Sequence, residues 1–478
     1  MKNCLDRGCD MVGKDVCIIG AGVGGLTAGA LLTKKGHKVT IFEKEAFIGG
    51  RALSFDASSL TLKKFKELLS RFHMDVTFSE PDLQTIFEKK MLDGYKLDLG
   101  YHAIGGGVLS NINSVLSELD DHIEILESYV GLIKDDGYDY PFLSRSDKLK
   151  ILPYIFLLLF SSEKTMKRLD SVSMAETINK YGKGKMKLIL EIFSRSITTV
   201  NNLDRISTGE MFRAQRNLYR GSKPVGYPKN GLITIHQKLA DFIIKHGGKI
   251  HLENPVDRLL IDRNKATGVM VGDREYYFKT IISNVMVQDL FTIANEKYFP
   301  KEYVKIIKSL TGTGSLCVYY SLKKVDTDLL GKTFHFIERD VGVDGGNAVG
   351  MVDFMVASPE PGLAPASNHL VQAYIICTPD EARNKKMLQN LRELVDKNLE
   401  KLIPDFRSCL NWAIYSAVWH LDGVAKTIDN TKLDIRTPVK SLYLVGDCVK
   451  APGIGINCAL NSAKMLSDAF PSLDLSNF

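Results

Sequence analysis

The sequence predicts an α/β protein of 478 residues. One unit is a parallel sheet assembled from separate parts of the chain. The other is an α+β unit on a mixed or antiparallel sheet inserted into the first. Three observations predict this. A strand, a glycine-rich turn, a helix and a second strand follow one another near the N-terminus, from Val16 to Glu43. A strand ending in Gly446-Asp447, followed by a helix, closes the chain. Between them, Gly314 to Cys377 is dominated by strand-like runs.

Each element follows from its local pattern. Val16-Cys17-Ile18-Ile19 is an apolar run ending in glycines, as a buried parallel strand requires. Leu26 to Lys35 reads as a helix closed by Gly36, and Lys38 to Glu43 as the next strand, which completes a β-turn-α-β unit. Tyr95 to Ile104 reads as a strand and turn. Residues 108–222 are mostly helical in pattern, and Leu149 to Phe160 is their most apolar stretch. From Gly226 the texture changes to a helix at Ile233–His246, strands at Lys249–Glu253, Arg258–Asp262 and Ala266–Val271, and a strand end at Ile281–Asn284. A helix near Asp380–Leu402 follows the strand-rich block. Strand Leu442–Val445 and a helix near Asn457–Ala469 end the chain. If the two chain ends share one sheet, both units are discontinuous. The first then comprises 14–105 with 225–295 and 425–478, and the second 106–224 with 296–424.

Composition narrows the function. Hydrophobic residues at 45% and charged residues at 25% are ordinary for a globular protein and exclude a disordered or collagen-like chain. A net charge of +6 without a dense Lys/Arg block argues against nucleic acid as a partner. The eight cysteines form no CxxC pair and no zinc-spaced cluster, so no metal is expected; Cys4 and Cys9 sit in the N-terminal tail. The N-terminus lacks the apolar stretch of a secretory signal, and no apolar window is long enough to span a bilayer. The expected compartment is the cytoplasm.

Gly20-Ala21-Gly22-Val23-Gly24-Gly25 matches G-x-G-x-x-G in the context that gives this motif meaning, after a strand and opening a helix. Gly20 permits the tight turn, Gly22 lets backbone approach a pyrophosphate, and Gly25 packs the helix on the strand. The phosphates then sit at the positive end of the helix dipole. Glu43 ends the second strand, where a carboxylate accepts both ribose hydroxyls and repels a 2′-phosphate. Directly after it, Glu43-Lys44-Glu45-Ala46-Phe47-Ile48-Gly49-Gly50-Arg51-Ala52 carries a second glycine pair and an arginine able to neutralise a diphosphate or hold a ribityl chain.

This arrangement resembles the amine oxidase and phytoene desaturase superfamily of flavoproteins, in which the Gly-Gly-Arg element contacts FAD. The resemblance implies a Rossmann-like FAD-binding domain of glutathione reductase-type topology. It implies cofactor contacts from Gly20, Gly22, Val23, Gly24, Gly25, Glu43, Lys44, Gly49, Gly50, Arg51 and Ala52. Leu442–Asp447 with Pro452-Gly453-Ile454-Gly455 resembles the second FAD motif, which implies contacts from Gly446, Asp447, Gly453, Gly455 and Ile456. Asp447 would bond the ribityl hydroxyls, and the helix N-terminus near Gly455 would face the flavin.

Three further stretches resemble the phytoene desaturase, carotenoid isomerase and retinol saturase branch. They are Asp98-Leu99-Gly100-Tyr101-His102; Gly226-Tyr227-Pro228-Lys229-Asn230-Gly231, leading on to Val256 beside the adenine; and Ala357-Ser358-Pro359 with Leu363-Ala364-Pro365 and Asn368-His369. The resemblance implies an FAD-dependent oxidoreductase. It would desaturate, saturate or isomerise C–C bonds of an apolar isoprenoid or polyene by hydride transfer with flavin N5. His102 is the candidate acid or base and Tyr101 a candidate lining residue. Trp412, Tyr415 and Trp419 form either an aromatic wall or core, and Cys448 and Cys458 read as small packing residues. No second G-x-G-x-x-G follows a strand, so the electron partner is a quinone, oxygen or a protein rather than a nicotinamide. Two alternatives stand beside this reading: an amine oxidase-like or protoporphyrinogen oxidase-like enzyme, and a non-catalytic flavin-binding subunit. The 149–162 stretch, flanked by Arg145, Lys148, Lys150, Lys164, Lys167 and Arg168, either meets a membrane surface or lines a core or tunnel.

Overall fold

The computed structural model describes residues 15–218, 223–357 and 362–475. Cys4, Cys9, Ser358 and Pro359 lie outside them.

The chain opens on β1 (Asp15–Ile19), α1 (Val23–Lys34) and β2 (Lys38–Phe42). β3 (Met74–Glu80) comes next, followed by the hairpin of β4 (Val130–Lys134) and β5 (Gly137–Asp139). A helical stretch includes α2 (Arg145–Phe160) and α3 (Lys185–Thr198). After α4 (Ile233–Lys245) come β6 (Lys249–His251) and β7 (Thr280–Ser283). The long strands β8 (Gly314–Leu322), β9 (Thr333–Glu338), β10 (Ala348–Asp353) and β11 (His369–Cys377) precede α5 (Lys385–Leu402) and β12 (Leu410–Val418). β13 (Leu442–Leu444) and α6 (Gly455–Leu475) complete the order.

Two sheets organise these elements. The first has the order β6-β2-β1-β7-β13 and is parallel throughout. Its central strand is fully buried from Val16 to Ile18, as expected of a strand covered on both faces. The second has the order β3-β12-β8-β11-β10-β9-β4-β5 and is antiparallel except between β9 and β4. Alternation divides its faces. Phe334, Phe336, Val352 and Ile375 face one apolar core with α5, whereas Leu132, Met351, Tyr374 and Cys317 face another.

Several expectations need correction. The region read as mostly helical contains β4 and β5 because Asp135-Asp136 makes a tight hairpin turn into Gly137, which has φ +135°. Met74–Glu80, assigned by sequence to the first unit, is instead the edge strand of the second sheet, paired with β12. Of the two alternatives for the aromatic stripe, Trp412 and Tyr415 take the core, fully buried, and Tyr415 donates to Asp396 at 2.8 Å. The final helix starts at Gly455, at the near edge of the range the sequence indicates. Among the described residues, no helix is long and apolar enough to cross a membrane.

Candidate cofactor and substrate cavity

A cavity of about 650 Å³ opens at the carboxyl ends of β1, β2, β7 and β13 and runs on to the face of the second sheet that carries Met351 and Tyr374. Ligand sites of open parallel sheets lie at these strand ends.

The glycine turns build its first wall. Gly20 has φ +96° and donates its N–H to Phe42 O at 2.8 Å, which turns the chain sharply out of β1. Gly49 donates to Ala21 O at 2.9 Å, so the two glycine motifs are joined to each other. A Cβ on Gly25 would lie 2.1 Å from Gly20 O, which is why α1 can pack only a glycine there. The N-terminus of α1 has no side-chain cap and no acidic residue in its first turn, leaving its N–H groups and positive dipole end for a ligand. Glu43 is buried and accepts from Ala21 N at 2.6 Å and Glu45 N at 3.0 Å. Burial raises its carboxyl pKa, and the two N–H donors act against that rise. Each oxygen keeps a further lone pair for a hydroxyl.

Arg51 and Asp447 meet across the cavity. The guanidinium reaches Asp447 Oδ1 at 2.5 Å and His420 O at 3.2 Å. Asp447 Oδ2 accepts from Gly423 N at 2.9 Å, and its backbone carbonyl accepts from the buried Lys432 Nζ at 2.8 Å. Burial opposes the Asp447 charge, yet Arg51, the Gly423 N–H and Lys432 together hold its pKa down at about 2. Sequence had assigned these two side chains separately, to a diphosphate or ribityl chain and to ribityl hydroxyls; here they are partners.

Beyond this pair, Tyr101 and His102 line the cavity. The strand end that carries them is pinned by Tyr319, whose hydroxyl lies 2.9 Å from the carbonyls of both Asp98 and Gly100. Tyr101 donates to Asp353 Oδ2 at 3.3 Å, and Asp353 also accepts from Thr333 Oγ1 at 3.0 Å and Met355 N at 2.7 Å. Burial raises the Asp353 pKa to about 6 against these bonds. His102 Nδ1 is buried without a hydrogen-bond partner among the described residues. Desolvation, with the Arg51 charge second, lowers its pKa to about 4, so its imidazole is uncharged at neutral pH.

Of the residues singled out from sequence, the cavity brings together Gly20, Gly22, Val23, Gly24, Glu43, Lys44, Gly49, Gly50, Arg51, Ala52, Tyr101, His102, Val256, Gly446, Asp447, Gly455 and Ile456. Gly25 and Gly453 do not line it. Sequence reasoning missed Asn284, His335 and Asp353. Asn284 lies over the first glycine turn, where a Cβ on Gly22 or Gly24 would come within 2.7 or 2.5 Å of its amide. The strand end Ile281–Asn284 was its only signal. His335 sits in a strand whose alternation marks the residue facing the cavity, and Asp353 gave no local signal.

A parallel sheet whose uncapped helix and two glycine turns face one cavity defines a dinucleotide-cofactor protein. The chain belongs to the flavin containing amine oxidoreductase family, whose model matches residues 23–469. It is 24% identical over 461 residues to an uncharacterised protein of Methanocaldococcus jannaschii, covering 91% of this chain and 94% of that one. It is 26% identical to a phytoene desaturase of Fusarium fujikuroi over 66% of this chain and 56% of that protein. It is 23% identical to a chloroplastic prolycopene isomerase of Arabidopsis thaliana over 83% of this chain and 70% of that protein. An oxidoreductase crystal structure from Methanosarcina mazei has the same fold, with a TM-score of 0.69 at 22% identity over 95% of this chain and all of that one. The protein is therefore an FAD-dependent oxidoreductase.

Proposed function

We propose that the protein transfers hydride at a C–C single or double bond of an apolar isoprenoid or polyene. The observation that carries this reading is the wall of the cavity beyond His102, formed by Val130, Phe193, Ile197, Met351, Tyr374 and Leu421. Its nearby carboxylates are already engaged, Asp353 as described and Asp422 by Lys426 and Thr199. An amine cation against that wall would have to displace those partners, which weighs against an amine oxidase-like reaction. The desaturase and isomerase relatives support the same class.

The α1 N-terminus with Gly20, Gly22 and Gly24 would hold the FAD diphosphate, and Glu43 would hold the ribose. Gly49, Gly50, Arg51 and Asp447 would lie along the ribityl side, with Gly455 and Ile456 at the flavin end. When bound, FAD supplies hydride acceptance or donation. His102, uncharged and with Nδ1 free, takes or returns the accompanying proton. Tyr101, tied to Asp353, and the apolar wall position the carbon chain and exclude water. A quinone or a protein completes the electron balance.

We also propose that α2 rests on an anionic membrane. Leu149, Leu152, Phe156 and Phe160 are 70%, 43%, 51% and 81% exposed, at spacings that share a helix face. Exposed Arg145, Lys148, Lys150, Lys164, Lys167 and Arg168 surround them. None of the described side chains of α2 lines the cavity. An apolar ridge ringed by cations complements anionic lipid headgroups.

Anaerobic mixing of the FAD-loaded protein with isoprenoids, polyenes and amines tests the reaction. Bleaching of oxidised flavin by an isoprenoid, or reoxidation of reduced flavin by a polyene, is expected. Bleaching by amines alone would overturn the reading.

A further inference from the structure

Three side chains of the cavity floor, His335, Met351 and Tyr374, stand in one register row across the second sheet. Leu132 pairs with His335, His335 with Met351, Met351 with Tyr374, and Tyr374 with Cys317. The neighbours Phe334 and Phe336 point to the opposite face and into the apolar core. His335 thus faces the cavity from a mainly apolar row, where a Leu or Met would pack as well.

His335 is 2% exposed, and neither ring nitrogen has a hydrogen-bond partner among the described residues. Phe193 of α3 meets its ring edge-on at a centroid distance of 5.7 Å. Three residues further along the same helix, Ser196 lines the same cavity, with its buried Oγ beside the Tyr374 hydroxyl. Buried polar groups are nearly always hydrogen-bonded, so an imidazole unpaired at both nitrogens, on a cavity wall that also carries a serine hydroxyl, calls for a ligand group.

The chemistry of the two groups selects that ligand group. Burial lowers the His335 pKa to about 3, so the imidazole is uncharged and presents one donor and one acceptor. The serine hydroxyl also both donates and accepts. A carboxylate or ammonium would be buried without an opposite charge. A ketone only accepts, and would leave the imidazole acceptor idle. An alcohol can donate to one group while accepting from the other.

We infer that His335 and Ser196 hold the hydroxyl of an isoprenoid alcohol, so that the substrate enters with its oxygen end against β9 and α3. This rests on the isoprenoid reading above and adds the oxygen function to it.

The test is an anaerobic titration of the FAD-loaded protein with geranylgeraniol and with the hydrocarbon of equal length that lacks its hydroxyl, read by the flavin difference spectrum. The alcohol is expected to bind about tenfold more tightly, the usual worth of a buried hydrogen bond to a neutral group. His335→Leu and Ser196→Ala are each expected to bring that ratio to within about twofold while leaving hydrocarbon affinity within about threefold. A structural role alone would not move the ratio. Should His335→Leu fail to retain FAD, Ser196→Ala carries the test. Equal binding of both ligands by the unaltered protein, or an unchanged ratio in the variants, overturns the hydroxyl site and leaves the isoprenoid reading standing. A flavin that responds to neither ligand but is bleached by a diamine removes both.

Discussion

Replacing Asp447 by Asn should reveal how the cofactor half of the cavity is held together. The change leaves the Arg51 guanidinium with backbone carbonyls but no counter-ion. The side chains of the pair are only 25% and 12% exposed, so solvent recovers little of the loss. Asp447 lies at about 2 against an ordinary 3.8. At 1.36 kcal/mol per unit, that shift corresponds to about 2.5 kcal/mol of stability at neutral pH. Stranding a buried charge costs about 3–5 kcal/mol when solvent is fully excluded, so a loss of about 2–4 kcal/mol is expected. Because the folded value is depressed, this stability is complete above pH 3.8 and is lost as pH falls through 2. The assay is urea unfolding of the FAD-stripped protein, which keeps ligand linkage out of the result. It is run on Asp447→Asn, Arg51→Met and the double variant, at pH 7 and pH 3. A coupling energy of about 2 kcal/mol at pH 7, smaller at pH 3, is expected. A coupling below about 0.5 kcal/mol would refute the argument that the pair is a buried, mutually dependent unit.

Three other outcomes follow from the geometry. Asp353, raised to about 6, favours the fold fully below pH 3.8 and loses that contribution as pH rises through 6; Asp353→Asn should remove about 3 kcal/mol of this pH dependence, measured by unfolding across pH 4–7. Gly24→Ala would put a Cβ 2.5 Å from Asn284 Oδ1 and 3.0 Å from Gly446 N. It should cost about 1–3 kcal/mol and at least a tenfold loss in FAD retention, read by flavin fluorescence after gel filtration. Phe156→Ser with Phe160→Ser should weaken sedimentation with anionic vesicles by about 100-fold, since each Phe is worth about 1.5–3 kcal/mol on burial; failure of the unaltered protein to bind such vesicles at low salt would dispose of the membrane proposal.

The parts of the site legible in the sequence were those encoded over short spans. Gly20 to Gly25 and Glu43 to Arg51 each announce a turn that backbone geometry restricts, and their flanking apolar runs fix which element precedes and follows. Arg51 and Asp447 were both recognised, but their pairing spans 396 positions and depends on sheet order, which no local pattern specifies. Asn284 was visible only as the end of a strand, because what sets its role is the glycine surface brought beneath it. The Asp135-Asp136-Gly137 hairpin signal was legible and was overridden by the helical texture around it. Trp412 and Tyr415 show an ambiguity the sequence leaves open. An aromatic stripe suits a ligand wall or a core equally well, and only the face on which the strand packs decides.

The cavity is divided electrically, and the division bears on what it can accept. Near Arg51, Asp447 and Lys432 the protein spends buried charges on one another and on backbone, which suits the polar and anionic parts of a dinucleotide. Toward β9 and β10 the imidazoles of His102 and His335 are both kept uncharged by burial, and Asp353 is enclosed by three donors. A low-dielectric region of that kind penalises an ionic substrate and does not penalise a hydrocarbon chain. It does penalise its own unpaired polar groups, so a substrate hydroxyl that reaches His335 and Ser196 gains more than the same hydroxyl would in water. Selectivity for an oxygenated chain over its hydrocarbon counterpart would then come from the wall's unmet hydrogen bonds rather than from shape.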